Sequence, residues 1–172
     1  MTGHINLLET SRTFGQKRLE IVQKAKSQAD WIALWNDPAH PYPFEWGTCW
    51  KACVEYKVED FEAELGFWLD IVGLDSNVLA PDFAMINTPD NHFVFAVSPS
   101  DAAQATPPNA VKLQFMLKEV CKSAAELEER GIVFHQPIQP TSPGSSLYTG
   151  AFRTPAGIAV ELWGVEERQA PE

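Results

Sequence analysis

The chain has 172 residues, 45% of them hydrophobic and 21% charged, enough for one good core or for two small modules sharing one. Its formal net charge is −10, which argues against a nucleic-acid partner, whose phosphates call for a basic surface. No apolar run approaches the ~18 residues that span a bilayer, so no membrane partner is expected, and Met1-Thr2-Gly3-His4-Ile5 lacks the basic-then-apolar order of a secretory signal. Three cysteines, Cys49, Cys53 and Cys121, form an odd set without metal-type spacing. Reduced thiols in a cytoplasmic protein are the expectation.

Residues from about Ser11 to Trp35 read as one amphipathic helix, with Phe14, Val22, Ala25, Ala29, Ile32 and Trp35 at mostly three-and-four spacing. Asn36-Asp37-Pro38 should end it, because the residue before a proline resists the α region. Pro38-Ala39-His40-Pro41-Tyr42-Pro43-Phe44 is then a stiff connector. Residues 1–45 thus form a helical arm attached to a separate body. Trp31 and Trp35 give that arm an apolar face to cover, on its own body or on a partner in a homodimer.

The body changes periodicity. Val54, Tyr56 and Val58 alternate with Cys53, Glu55 and Lys57 as in a strand. Asp60 is placed to cap a helix that carries Phe61, Leu65, Trp68 and Leu69 on one side, and Gly73 stands where it should stop. Short strands follow around Val78-Leu79, Phe83–Ile86 and His92–Val97, the last two separated by the turn signal Thr88-Pro89-Asp90-Asn91. After a polar stretch the order repeats: an alternating run through Val111, Leu113, Phe115 and Leu117, a helix from Glu119 to Arg130, a Gly131 stop, and strands at 132–134, 147–152 and 158–163. Thr154-Pro155-Ala156-Gly157 stands where Thr88-Pro89-Asp90-Asn91 stood. The repeat offset grows from 59 at Asp60 and Glu119 to 66 at Thr88 and Thr154, placing about seven extra residues near 136–146. This is an internal duplication. Its boundaries are expected at 46–98 for the first module, 99–109 for a linker, 110–165 for the second module and 166–172 for a tail.

Val58-Glu59-Asp60-Phe61 followed by Phe67-Trp68 and Gly73 resembles the opening of a glyoxalase/bleomycin-resistance module, as does Leu117-Lys118-Glu119-Val120 followed by Leu127 and Gly131-Ile132-Val133-Phe134. The ending from Phe152 to Trp163 is similar to the closing motif of the vicinal-oxygen-chelate superfamily: Pro-x-Gly, three residues, then an acid on an inward strand face. The resemblance implies an α+β fold of two tandem βαβββ modules that form a shared cup-shaped sheet, preceded here by the helical arm.

It also implies a divalent metal held at the start of each first strand and the middle of each last strand. Counting seven residues back from Asp60 and Glu119 gives Cys53 and Lys112; counting seven on from Thr88 and Thr154 gives Phe95 and Glu161. Phe95 cannot coordinate a metal and Lys112 repels one, so no metal is expected at these positions. A site displaced by two residues could instead use Glu55, Gln114 and Glu161, but two residues along a strand is about 6.6 Å. Cys53 is more often a packed filler than a nucleophile, and His4, His40, His92 and His135 stand at no ligand position.

The leading expectation is therefore a metal-independent small-molecule binder, whose ligand-contacting residues are Cys53, Glu55, Phe93, Phe95, Lys112, Gln114, Met116, Glu161 and Trp163. Lys112 and Glu161 are expected to pair at the floor of the cup. Two enzyme readings stand beside it. One is a lyase, isomerase or dioxygenase using a divalent metal at an irregular ligand set; the other is a metal-free acid/base catalyst using Glu161 with Lys112.

Overall fold

The computed structural model describes residues 7–30, 43, 45, 52–89 and 92–166. The chain divides into two compact units, residues 1–46 and 47–172.

In the first unit, α1 (Leu7–Lys24) starts earlier and ends sooner than the sequence pattern predicts. The expected single helix is interrupted at residues 25–27, and residues 28–30 begin a new helical turn. The cause is a capping box. Asp30 N–H donates to the Ser27 hydroxyl at 3.2 Å, while the Asp30 carboxylate accepts from the Ser27 and Lys26 amides at 3.0 and 3.1 Å. A serine that offers the backbone this alternative stops one helix and starts the next. Trp31, Trp35 and the proline-rich connector up to Tyr42 lie outside the described residues.

The second unit carries the duplication. Its first module runs β1 (Val54–Val58), α2 (Phe61–Gly66), a π-helical turn (Phe67–Val72), β2 (Asp75–Ala80), β3 (Phe83–Asn87) and β4 (Val94–Pro99). Its second runs β5 (Lys112–Leu117), α3 (Val120–Glu129), β6 (Phe134–Pro140), β7 (Leu147–Arg153) and β8 (Ala159–Val165). The strands form two four-stranded sheets of identical topology, β1-β4-β3-β2 and β5-β8-β7-β6. In each, the first strand lies parallel to the last and the remaining pairs are antiparallel. The extra residues of the second copy widen the β6–β7 hairpin, whose loop spans 141–146 where the β2–β3 turn spans 81–82. β6 contains Pro137 and Pro140, tolerated because it is an edge strand.

Asp60 caps α2 as the sequence predicts, its carboxylate accepting from Ala63 N–H at 3.0 Å. The helix then widens: Gly73 and Leu74 both donate to the Trp68 carbonyl, at 3.1 and 2.9 Å. Gly73 ends it at φ +87°, a left-handed conformation that favours glycine. The wider turn buries both Phe67 and Trp68, adjacent residues that a regular helix would point about 100° apart.

One hydrophobic core joins the two modules. Tyr56, Phe95, Val97 and Ile86 from the first sheet and Phe152, Val160 and Leu162 from the second belong to it, with Trp68 among them. Phe67 meets Phe152 at 6.1 Å between ring centroids, and Trp68 meets Phe115 at 6.3 Å. Two polar clamps reinforce it. Arg130 of the second module donates to the Ile71 and Val72 carbonyls at the end of the π-turn, at 3.0 and 3.2 Å. Glu64, 0% exposed, accepts from Tyr56 O–H at 2.7 Å, from Trp68 Nε1–H at 3.2 Å and from Ala156 N–H of the β7–β8 turn at 2.9 Å. Trp68 Nε1–H also reaches the Tyr56 oxygen at 2.6 Å. Burial pushes the Tyr56 hydroxyl far above its usual range, and the neighbouring Glu64 charge adds to the effect.

Glu64→Ala would strand the Tyr56 hydroxyl and the Ala156 amide and leave a void, so it is expected to lower unfolding free energy by about 3 kcal/mol or more. Glu64→Gln, which keeps an acceptor, should cost less. Denaturant unfolding compares them; equal small losses would show that the clamp is not needed. Gly164 approaches the β5–α3 corner so closely that a Cβ would stand 2.6 Å from the Leu117 carbonyl and 2.7 Å from Val120 Cβ. Gly164→Ala is therefore expected to destabilise by about 1–3 kcal/mol in the same assay.

Candidate functional site

Strand alternation gives each sheet two faces. In the second sheet Leu113, Phe115, Leu117, Val160 and Leu162 turn toward the helices and core. Lys112, Gln114 and Met116 turn the other way, beside Ala159, Glu161 and Trp163 in register. Across β7, Ala151 and Thr149 complete the same outer face opposite Glu161 and Trp163. In the first sheet the corresponding face carries Glu55, Ala96 and Met85, with Ser98 and Asn87 two residues along β4 and β3.

Glu161 is the centre of the outer face. Its carboxylate accepts from the Gln114 amide and stands 3.6 Å from Lys112 Nζ. The expected pairing of Lys112 with Glu161 is present, but Lys112 is 56% exposed and Glu161 15%, so the pair is open to water. The Gln114 hydrogen bond holds the Glu161 carboxyl below its ordinary value of 4.5; burial opposes this, and the Trp163 indole and the Lys112 ammonium add to the lowering. On the first sheet, Ser98 O–H donates to Glu55 at 2.6 Å.

Three buried polar side-chain atoms form no hydrogen bond of good geometry among the described residues: Asn87 Oδ1, Thr149 Oγ1 and Trp163 Nε1, the last facing the Glu161 carboxylate without closing a bond to it. All three residues belong to outer faces, and Thr149 and Trp163 are register partners. An unpartnered buried polar atom costs about 1–3 kcal/mol, so a trio gathered on the faces away from the core calls for an explanation. Sequence reasoning named Trp163 but missed Asn87 and Thr149, since an amide or hydroxyl in a strand carries no signal of being left unpaired.

Two expected cup residues lie elsewhere. Phe95 is 0% exposed and stacks on Tyr56 at 6.0 Å and edge-on to Trp68 at 5.0 Å, on the helix side of the sheet. Phe93 packs beside it, at 5.6 Å from Phe95 and 5.7 Å from Phe115. The reason is a one-residue difference between the turns. Thr88 N–H closes on the Phe93 carbonyl, five residues on, whereas Thr154 N–H closes on Ile158, four residues on. A count transferred from one copy to the other therefore slips by one, and a slip of one reverses a strand's faces. The true counterpart of Glu161 is Ala96: Glu55 pairs with Ala96 as Gln114 pairs with Glu161.

Cys53 precedes β1 and is half-buried. Burial, then the nearby Glu55 charge, push its thiol up, which opposes thiolate chemistry. Met116 is 72% exposed. As for a metal, Glu55, Ala96, Gln114 and Glu161 occupy the four equivalent strand positions; Ala96 offers no donor atom, and the other three offer carboxylate or carboxamide oxygens. Among the described residues no three His, Cys, Asp or Glu side chains gather where they could hold a metal ion.

The sheet topology and the paired modules have close structural parallels. A glyoxalase/bleomycin resistance protein/dioxygenase from Nocardioides superposes with a TM-score of 0.57 over 83% of this chain and 95% of its own, at 19% identity. The fold is that of the glyoxalase and bleomycin-resistance proteins. TnmS3, an antibiotic binding protein from Streptomyces sp. CB03234, gives 0.57 over 72% of this chain and all of its own, at 17% identity. Lactoylglutathione lyase from Agrobacterium tumefaciens gives 0.53 over 65% of this chain and 90% of its own, also at 17%. No family model and no curated protein matches the sequence.

Because the folded state holds the Glu161 proton less tightly than the unfolded chain, the carboxylate's contribution to stability is full above about pH 4.5 and is lost as pH falls through the lower folded value. Gln114→Leu should move the Glu161 titration midpoint upward, toward the ordinary glutamate range, when followed by carboxyl NMR. An unchanged midpoint would show that the amide does not control this charge. For the water-exposed Lys112–Glu161 pair, a double-mutant cycle with Lys112→Met and Glu161→Gln is expected to give coupling under about 1 kcal/mol.

Proposed function

We propose that this protein binds a small molecule on the outer face of its second sheet, without a metal. The observation that carries the reading is the pair of buried atoms without a well-formed hydrogen bond, Thr149 Oγ1 and Trp163 Nε1, beside a carboxylate held in its charged form at Glu161. A ligand hydroxyl or carbonyl would satisfy the indole N–H and the threonine hydroxyl, and a ligand donor would meet Glu161. The Trp163 ring and Met116 supply apolar contact. The resemblance to a protein described as antibiotic binding supports sequestration as the mode, since holding a drug-sized molecule asks nothing of a metal.

The likeness to a lactoylglutathione lyase supports a second reading, in which Glu161 serves a metal-dependent reaction. The two separate cleanly. For the first, the purified protein carries no stoichiometric transition metal by elemental analysis, and ligands found by thermal-shift screening bind equally well after treatment with a chelator. About one zinc, nickel, iron or manganese per chain, lost in Glu161→Gln, would establish the second instead. Trp163→Phe, which removes only the N–H and part of the ring, is expected to weaken binding of those ligands by roughly tenfold, the worth of one buried hydrogen bond. We also place the protein in the cytoplasm and read it as a homodimer; sedimentation at micromolar concentration tests the latter.

A further inference from the structure

The opposite face of the same sheet carries a half-open pocket of about 320 Å³, on the helix side of β5 and β8 and apart from the outer face. Its walls are Trp68 from the π-turn, Phe115 and Phe152 from the sheet, and Leu127 from α3, with Val160 and Leu162 behind them. Among the described residues, the hydroxyl-bearing and charged side chains of its lining are Thr88, Ser123, Glu126 and Arg130. Arg130 and Glu126 approach to 3.9 Å, and Arg130 is further tied to the Ile71 and Val72 carbonyls, so these two charges offset each other and the guanidinium is already engaged.

From this we infer a second binding site for a compact, uncharged, largely apolar molecule of about two fused rings. Size supports it: a cavity of about 150 Å³ lined by aliphatic and aromatic groups takes up benzene, and this one is about twice as large. The balanced Glu126–Arg130 edge disfavours a charged ligand, whose desolvation inside apolar walls would go unmatched. The π-turn is the independent observation. Such turns are rare and cluster at functional sites, and this one supplies both Trp68 and Val72 to the cavity wall. A pocket of this size whose wall is completed by an irregular helix reads as a built feature. The inference is independent of the outer-face reading, since β5 and β8 give alternate residues to the two sides.

The test uses 1-naphthol with the full-length protein and follows backbone amide and indole NMR signals. The expected result is saturable shifts at the Trp68 indole and at the Leu127, Ser123 and Leu162 amides, with a rise in melting temperature. Ser123→Phe, which places a ring in the cavity mouth from the helix surface, should weaken binding at least tenfold. Shifts confined to the Trp163 indole and the Gln114 amide would overturn this inference while leaving the outer-face site standing. Absence of saturable shifts up to the solubility of 1-naphthol would overturn it too, whatever becomes of Ser123→Phe, because the wild-type map decides.

Discussion

A fully buried carboxyl group holds the two halves of this molecule in one register. Glu64 sits on the helix of the first module, yet one of its oxygens is taken by a backbone amide in the last turn of the second. Its other oxygen is matched to Tyr56 and Trp68, so every bond it makes constrains something: a strand, a helix and the distant β7–β8 turn. A carboxyl in an apolar core is tolerable only when its lone pairs are occupied in good geometry. That requirement fixes where the second module can stand. Hydrophobic contact between Phe67 and Phe152 favours association without specifying it; the directional bonds to Glu64 select one arrangement among the many that would bury similar area.

With the modules so placed, β5 and β8 become a partition. Odd residues of β5 and even residues of β8 feed the core and the apolar cavity, while their neighbours present Lys112, Gln114, Glu161 and Trp163 to the other side. The two sides differ in character for a simple reason. Where the helix side is covered, polar atoms must be paired internally, as at Glu64. The outer side can leave an indole and a hydroxyl unmatched, a state that water or a ligand relieves.

Much of this architecture was legible in the sequence, and the failures share a cause. The strand–helix–three-strand order, its repetition, the Asp60 cap and the Gly73 stop all rest on local chemistry, which a sequence displays directly. The proximity of Lys112 and Glu161 was legible as well, because parallel pairing of the first and last strands follows from the repeated module. What could not be read was anything set by a one-residue difference. The longer turn after Thr88 put Phe95 in the core instead of the cup, and the π-turn brought Phe67 and Trp68 into the same interior. Ser27 and Asp30 did carry a readable signal, a capping box, hidden inside an otherwise continuous amphipathic pattern.

The stretch between the modules does more than connect. Ser100 N–H bonds to the Val58 carbonyl, and Thr106 exchanges bonds with both backbone groups of Lys57, its amide giving to the carbonyl and its hydroxyl accepting from the amide. The Lys57 groups lie along the edge of β1 that β4 leaves free, while the Ser100–Val58 bond continues the β1–β4 ladder. A duplicated gene doubles the number of sheet edges, and each open edge is a template for pairing with another chain. Here the joining segment acts as a selvedge, finishing the border of the first sheet with irregular backbone that offers no further ladder to copy. The first module consequently depends on chain that follows it in sequence, and during synthesis its edge stays raw until the linker has emerged. A boundary drawn between the two repeats for separate expression would have to leave this segment with the first.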